Sequence, residues 1–562
     1  MKGGYSSGSS TRITLRRITL VFILTGGGFL RLLALGQKSL WRDEIETMLF
    51  ALSPLKEVIH LSLTVPFIPR PPFYFIISHF FMKIKGSVAF LRLPAALSAI
   101  LTLFLLYYLA RRLFGVRPAL LGVFLMAVSP FQIYYAQEGR EYAFLMLLSL
   151  LALAILEAAP DRGPWSLILW TAVCLAILYT HHFGAVIVAT QAVIAPVLFW
   201  MDSREGRLKF KVSFPAFLLA LALVLILWQP MLTHLLGGLA GPRGMRGFSL
   251  SPAFSLAELK TMVGLMGLGN GPGTFIVPLL ALIGFYPSRR DECRRGLVIS
   301  FLWLAPAVTL TLFGQFAHVF RVRYLIFIIP IYLLMVARGS TVLDDLAGIR
   351  FGKGVERKGE SPFPAVSLGL VILSFFWVYP YISGYFAEEK QNWKAAAAFL
   401  QEASGEEDRV VVSGKGGEDI NLHHFVLDHY AGLGERTVIL HLAGTYEDEL
   451  RALLEEDRPL WYVRTEPKDP GRRPGMYPFQ NRPELLRDAG FTALSPISFG
   501  TGSRLTPMER EFLALSRYKP VTVTPVLPGL LPEESRRETE ARLLEAAREI
   551  PRGFVTAGSS SR

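Results

Sequence analysis

The chain has 562 residues, of which 52% are hydrophobic and only 18% charged, with a formal net charge of +13. Soluble domains carry roughly 25% charged residues, so a single large water-soluble core is excluded; charge-free runs such as 97–109, 142–156 and 213–228 approach the roughly 17–25 residues of a membrane-crossing helix. The basic excess fits membrane topology, and no zinc finger, basic helix or aromatic-basic RNA motif accompanies it, so no nucleic-acid partner is expected.

At the N-terminus, Arg12, Arg16 and Arg17 precede an apolar stretch. It reads as a secretory signal cleaved near Ala34 or as an uncleaved first span, and the many apolar runs that follow favour the span. Hydropathy predicts about 11 transmembrane helices, over 18–36, 88–110, 117–135, 142–158, 165–180, 183–199, 213–230, 273–286, 297–314, 324–337 and 363–382. Residues 71–85 are apolar but short. Placing them across the bilayer would move Arg111, Arg112 and Arg117 outside, so they read as an interfacial helix opened by Pro71-Pro72; residues 255–268 read the same way. With the N-terminus cytoplasmic, Lys and Arg are more than twice as dense in the cytoplasmic loops as in the outer ones, which is the expected bias. Cys174 lies in an apolar run and Cys293 in a basic loop, so no disulfide framework or cysteine metal site is expected.

Past about residue 383 the sequence turns polar. Strand-like runs at Val410–Ser413, Thr437–Leu442 and Leu460–Arg464 alternate with helical patterns at Trp393–Glu402, Tyr446–Glu455 and Glu509–Ser516. The predicted fold is an α-helical polytopic membrane protein with a small C-terminal extracytoplasmic α/β domain. Its parts are a transmembrane domain over 1–382, the α/β domain over 383–525, and a charged helix with a flexible tail over 526–562.

Five constellations fall on the predicted outer face. Asp43-Glu44 follows the first span; the pair reads as a general base beside an acceptor- or metal-binding group, or as a solvated loop. Glu138 and Arg140 sit where two spans turn, either facing a cavity or closing the turn as an ion pair. His181-His182 suggest a metal or phosphate contact, although neighbouring side chains on a helix diverge by about 100°, which favours an interfacial role. Arg321, Arg323 and Tyr324 place two guanidiniums where the topology rule expects few cations, as a phosphate clamp or a lipid-headgroup contact. Arg70, within Pro69-Arg70-Pro71, joins the same anion site or anchors the interface.

In order and spacing, these residues resemble the GT-C membrane glycosyltransferases, and most of all the bacterial relatives of protein O-mannosyltransferases and aminoarabinose (lipid A) transferases. The pattern runs Asp43-Glu44, Pro71-Pro72-Phe73, Arg92-Leu93-Pro94, Tyr135-Ala136-Gln137-Glu138-Gly139-Arg140, Tyr179-Thr180-His181-His182-Phe183-Gly184 and Arg323-Tyr324-Leu325-Ile326, within roughly residues 15–400. The resemblance implies a polyprenyl-phosphate sugar donor, an acceptor hydroxyl on a protein, lipid or glycan, and work at the extracytoplasmic face of the bacterial inner (plasma) membrane. It implies Asp43 as catalytic base, Glu44 as its acceptor-binding neighbour, and Glu138 and Arg140 as the second corner of the site. His181, His182 and Arg70 join as donor or acceptor contacts, with Arg321, Arg323 and Tyr324 at the phosphate. Relatives often carry Glu or His before the proline segment, as a metal ligand; here Arg70 stands in that stretch. No cofactor is firmly expected, and a divalent metal stays open but disfavoured. The rival expectation is a transporter or flippase of lipid-linked sugars, which would place charge at mid-membrane depth, often with internal repeats.

Overall fold

The computed structural model describes residues 7–64, 70–163, 165–207, 209–240, 268, 273–287, 294–314, 322–350, 364–387, 391–414, 417–441, 446–465, 486, 488–499, 521–529, 531–550 and 555–557. They fall into two compact units: Met1–Gly36 with Phe50–Ser383, and Gln37–Leu49 with Gly384–Arg562.

The first unit is helical. Its first half contains α1 (Ser7–Leu32), the end of α2 (Arg42–Leu52), α3 (Leu55–Thr64), α4 (Phe73–Ile84), α5 (Val88–Phe114), α6 (Val116–Val128), α7 (Pro130–Ala136) and α8 (Tyr142–Arg162). Then come α9 (Trp165–Leu178), α10 (Gly184–Arg204), α11 (Phe210–Ala240), α12 (Gly273–Ile283), α13 (Arg294–Gly314), α14 (Ile329–Arg350) and α15 (Ala365–Ala387), the last residues of which, from Gly384, fall in the second unit. A 3-10 turn over Val322–Ile328 leads into α14.

Helix α5 shows why these segments stay in lipid. Leu97, Leu101, Phe104 and Tyr108 recur at helical spacing and are exposed, while Ala95, Ala99, Leu103, Leu106 and Leu109 are buried. An exposed apolar stripe on an otherwise buried helix is a lipid-facing stripe, because water would penalise it. At close approaches the sequence supplies glycine. A side chain at Gly339 of α14 would overlap the Leu280 carbonyl of α12, and one at Gly284 would overlap that of Met335.

The chain is an integral membrane protein. Among the described residues, 7 helices are long and apolar enough to cross a membrane, or up to 8 if the bent pair α6–α7 is one span. A helix lies within each of the segments predicted to span. The 14-residue α9 and 11-residue α12, however, rise about 21 and 17 Å against a hydrocarbon core of about 30 Å, so neither crosses unaided. The predicted interfacial helix at 71–85 is α4; residues 255–267 lie outside the described residues. Cys174 is buried and free, and Cys293 lies outside the described residues.

The second unit carries a 7-stranded sheet. Strands β1 (Arg409–Gly414), β2 (Thr437–His441) and β3 (Leu460–Thr465) are parallel in the order β2-β1-β3. They alternate with α17 (Gly417–Ala431) and α18 (Tyr446–Glu455), since parallel neighbours need a crossover between them. The sheet continues antiparallel through β6 (Val521–Pro528), which pairs with β3, β4 (Phe491–Ala493) and β5 (Ile497–Phe499). Its edge is β7 (Val555–Ala557), paired with β5. Residues 526–562, read from sequence as a charged helix and tail, thus supply the end of β6, the helix α19 (Glu533–Glu549) and β7 to this sheet. Helix α16 (Trp393–Ala403) buries Trp393, Phe399 and Leu400, and the Phe399 ring meets Trp461 and Phe499 at centroid distances of 5.8 and 5.5 Å. The helical pattern at Glu509–Ser516 lies outside the described residues.

Candidate active site

The corner at residues 137–142 exists because α6 cannot continue. Pro130 lacks an amide proton and disfavours helical geometry at Ser129, so the chain bends by 61° and restarts with proline in the first turn of α7. The break leaves carbonyls at the end of α6, and the buried Arg31 of α1 takes them. Its Nη1 donates to Ala127 O at 3.1 Å and its Nη2 to Met126 O at 2.9 Å. Gln137 does the converse at the end of α1, where its Nε2 donates to Leu30 O and Leu33 O at 2.9 Å each. The corner is therefore fastened by side chains that replace missing helical hydrogen bonds.

Glu138, Arg140 and Glu141 are all buried here. Arg140 Nη2 donates to Glu141 Oε1 at 3.1 Å, and His181 Nε2 stands 3.9 Å from the same oxygen. Glu141 Oε2 is buried and has no hydrogen-bond partner among the described residues. Burial pushes the Glu141 carboxyl up, but Arg140 above all, with a backbone hydrogen bond and Arg323, outweighs it and holds it below the usual carboxylate range. Burial pushes the His181 imidazole down to about 4; Glu141 opposes the shift, while His182, Arg140 and Arg323 reinforce it. His181 is thus neutral at pH 7, and its Nδ1 accepts from the Phe183 amide at 3.1 Å.

Arg323 reaches this group through aromatic faces. Its guanidinium lies 5.2 Å from the Tyr142 ring centroid and 5.8 Å from that of Tyr324, within cation–π range. Tyr324 stacks on Phe183 at 4.5 Å and meets His181 at 5.2 Å. The result is a guanidinium braced on flat rings beside a buried Arg–Glu pair. A planar fork of donors suits a phosphate oxygen, and the rings offer apolar faces to a sugar or prenyl chain.

The structure brings Arg140, His181, Arg323 and Tyr324 together. It adds Glu141, Tyr142 and Phe183, which the sequence did not single out. Glu141 follows Arg140 directly, and only the non-helical turn there lets adjacent side chains pair; on a helix they would diverge. Glu138 and His182 flank the cluster. Arg70 is half-buried beside α4, whose first amide, at Phe73, donates to Tyr179 O at 2.9 Å. Arg321 lies outside the described residues.

Asp43 and Glu44 belong to the second unit and open α2. Carboxylates in a first helical turn are favoured by the helix dipole. Glu44 is fully buried and Asp43 half-buried. The segment before them is tied to the α/β unit: Leu40 N donates to Tyr430 Oη at 2.9 Å, Arg42 N to Gln391 Oε1 at 2.9 Å, and Lys394 Nζ to Gln37 O at 2.7 Å. Lys38 adds a hydrogen bond to Tyr385 O and stacks 4.4 Å over that ring. Among the described residues no group of three or more His, Cys, Asp or Glu could hold a metal ion.

Comparison with known proteins shows what the chain is similar to. A family model described as dolichyl-phosphate-mannose-protein mannosyltransferase matches residues 69–233, which contain Arg70, Glu138, Arg140, His181 and His182. ArnT from Cupriavidus metallidurans in the apo state superposes with a TM-score of 0.54 at 12% identity, covering 92% of this chain and 98% of that one. The same protein bound to undecaprenyl phosphate gives 0.51 at 13% identity, over 90% and 97%. The apo oligosaccharyltransferase of Archaeoglobus fulgidus gives 0.50 at 11% identity, over 88% of this chain and 74% of that one. No curated protein sequence matches significantly. The chain thus has the fold of these two membrane proteins, and its residues 69–233 match the mannosyltransferase family model.

Proposed function

We propose that the chain transfers a sugar from a polyprenyl-phosphate-linked donor to an acceptor hydroxyl, with inversion at the anomeric carbon, at the extracytoplasmic face of a bacterial inner membrane. The observation that carries this reading is the Arg140–Glu141–His181–Arg323 cluster with its aromatic faces, in a GT-C fold. That the similar ArnT has been solved with undecaprenyl phosphate supports a lipid phosphate as the ligand. The excess of Lys and Arg in the predicted cytoplasmic loops supports the orientation.

In the proposed step the acceptor oxygen attacks the anomeric carbon as the carbon–oxygen bond to the phosphate breaks. The electron pair of that bond leaves on polyprenyl phosphate, where Arg323 and Arg140 offset the developing charge, with Arg321 and Arg70 as further cations. Asp43 takes the acceptor proton, and Glu44 helps position the acceptor. A placed base contributes about 10²–10⁴-fold in rate. Asp43→Asn is therefore expected to retain folding and membrane insertion while losing transfer by that order; wild-type turnover in the purified variant would remove Asp43 from the role.

Within its own unit, the Asp43 segment is held by two hydrogen bonds to side chains of the α/β part. Tyr430→Phe removes the hydrogen bond to Leu40 N, and Gln391→Ala the one to Arg42 N. One such bond is worth about 0.5–1.5 kcal/mol net. Steady-state kinetics should show kcat lowered several-fold in each variant, with the donor KM unchanged.

A further inference from the structure

The phosphate reading leaves Glu141 unexplained. It is a buried carboxylate set among guanidiniums at a site meant to receive an anion. Its Oε1 holds Arg140, its Oε2 is buried without a partner among the described residues, and it precedes the first turn of α8, where a negative charge is favoured. Repulsion of the expected ligand is the cost of placing it there.

Donor and product differ in charge. A polyprenyl-phosphate sugar is a phosphodiester with one negative charge. The released polyprenyl phosphate is a monoester and carries about −1.5 to −2 at pH 7. Coulomb energy scales with ligand charge, so removing one positive charge from a site weakens a dianion about twice as much as a monoanion. We propose that Glu141 is a specificity residue: by cancelling one guanidinium charge it lets the site hold the singly charged donor while releasing the more highly charged product. This rests on the proposed phosphate role of Arg140 and Arg323. His181 adds no compensating charge, because it is neutral at working pH.

The test needs no knowledge of the sugar. The full chain in lipid nanodiscs is titrated with undecaprenyl phosphate, the monoester, and with its methyl ester, a singly charged diester. Glu141→Gln should shift the ratio of the two dissociation constants toward the monoester by about tenfold or more, because each added unit of ligand charge gains its own interaction with the uncancelled guanidinium. Glu141→Asp should restore the wild-type ratio. Arg140→Gln, which removes a positive charge, should move the ratio the other way, and it supplies the answer should Glu141→Gln not fold. An unmoved ratio in the folded variants, with binding of both probes lost in Arg323→Gln, overturns the role of Glu141 and leaves the phosphate site standing. Unchanged binding of both probes in Arg323→Gln overturns the phosphate site, and the proposal with it.

Discussion

Helix α8 ends in ionic groups on both sides. Near its C-terminus Glu157 accepts from Arg295 Nε at 2.5 Å and faces Arg112 Nε at 3.5 Å. Arg295 also binds Asp202 of α10, which Arg207 meets at 3.2 Å while pairing with Glu205. Arg112, Arg207 and Arg295 thus stand against Glu157, Asp202 and Glu205, charge for charge, and join α5, α8, α10 and α13. At the other end Arg140 pairs with Glu141, Glu138 lies buried at the same corner, His181 is neutral, and Arg323 is braced on aromatic rings. A balanced network spends its charges on itself and fixes helices. A guanidinium braced on aromatic faces is suited to a passing anion.

That contrast predicts opposite phenotypes. The largest effect on stability should come from Arg295→Met, which leaves two buried carboxylates short of a partner and costs on the order of 3–5 kcal/mol. Thermal unfolding of the detergent-solubilised protein should show it, while undecaprenyl phosphate binding per folded molecule stays at the wild-type level. Arg323→Gln should do the reverse: a hydrogen bond to a charged group is worth about 1.5–3 kcal/mol, so binding should fall about tenfold or more with little change in Tm. If Arg323→Gln destabilised the protein as much as Arg295→Met, the two ends would be of one kind.

A smaller effect separates the ends by pH. In the unfolded chain His181 takes up a proton near its ordinary value of about 6.5, whereas in the folded protein it does so only near 4. The unfolded state therefore binds more protons between these values, and stability falls as pH drops through that window. Glu141, held below its ordinary range, loses its contribution only at lower pH. His181→Gln should flatten the Tm profile between about pH 6.5 and 4; an unchanged profile would show that His181 titrates normally in the fold.

Much of this was legible in the sequence, in uneven ways. The β-branched run at Val410–Val412 and the apolar Leu460–Val463 announce central strands, and they became β1 and β3. Strands β4, β5 and β7 have 3 residues each, too few for alternation to register. The run over 117–135 read as one helix because its hydropathy is continuous; Ser129-Pro130 was the only mark of the break. At the site, Glu138, Arg140, His181, Arg323 and Tyr324 stood out as polar groups in apolar surroundings. Glu141 did not, because its pairing depends on a turn geometry that spacing does not encode. The tie between residues 37–42 and the α/β unit joins positions some 350 apart in the chain, and no local pattern announces it.

The central claim is bond cleavage at a lipid phosphate, and a liposome assay addresses it directly. The purified chain is reconstituted with a panel of labelled undecaprenyl-phosphate sugars and candidate acceptors. Free undecaprenyl phosphate and an inverted glycoside should accumulate with wild type and not with Asp43→Asn. Movement of intact donor across the bilayer, with no sugar released from phosphate, would contradict the account and mark the chain as a flippase.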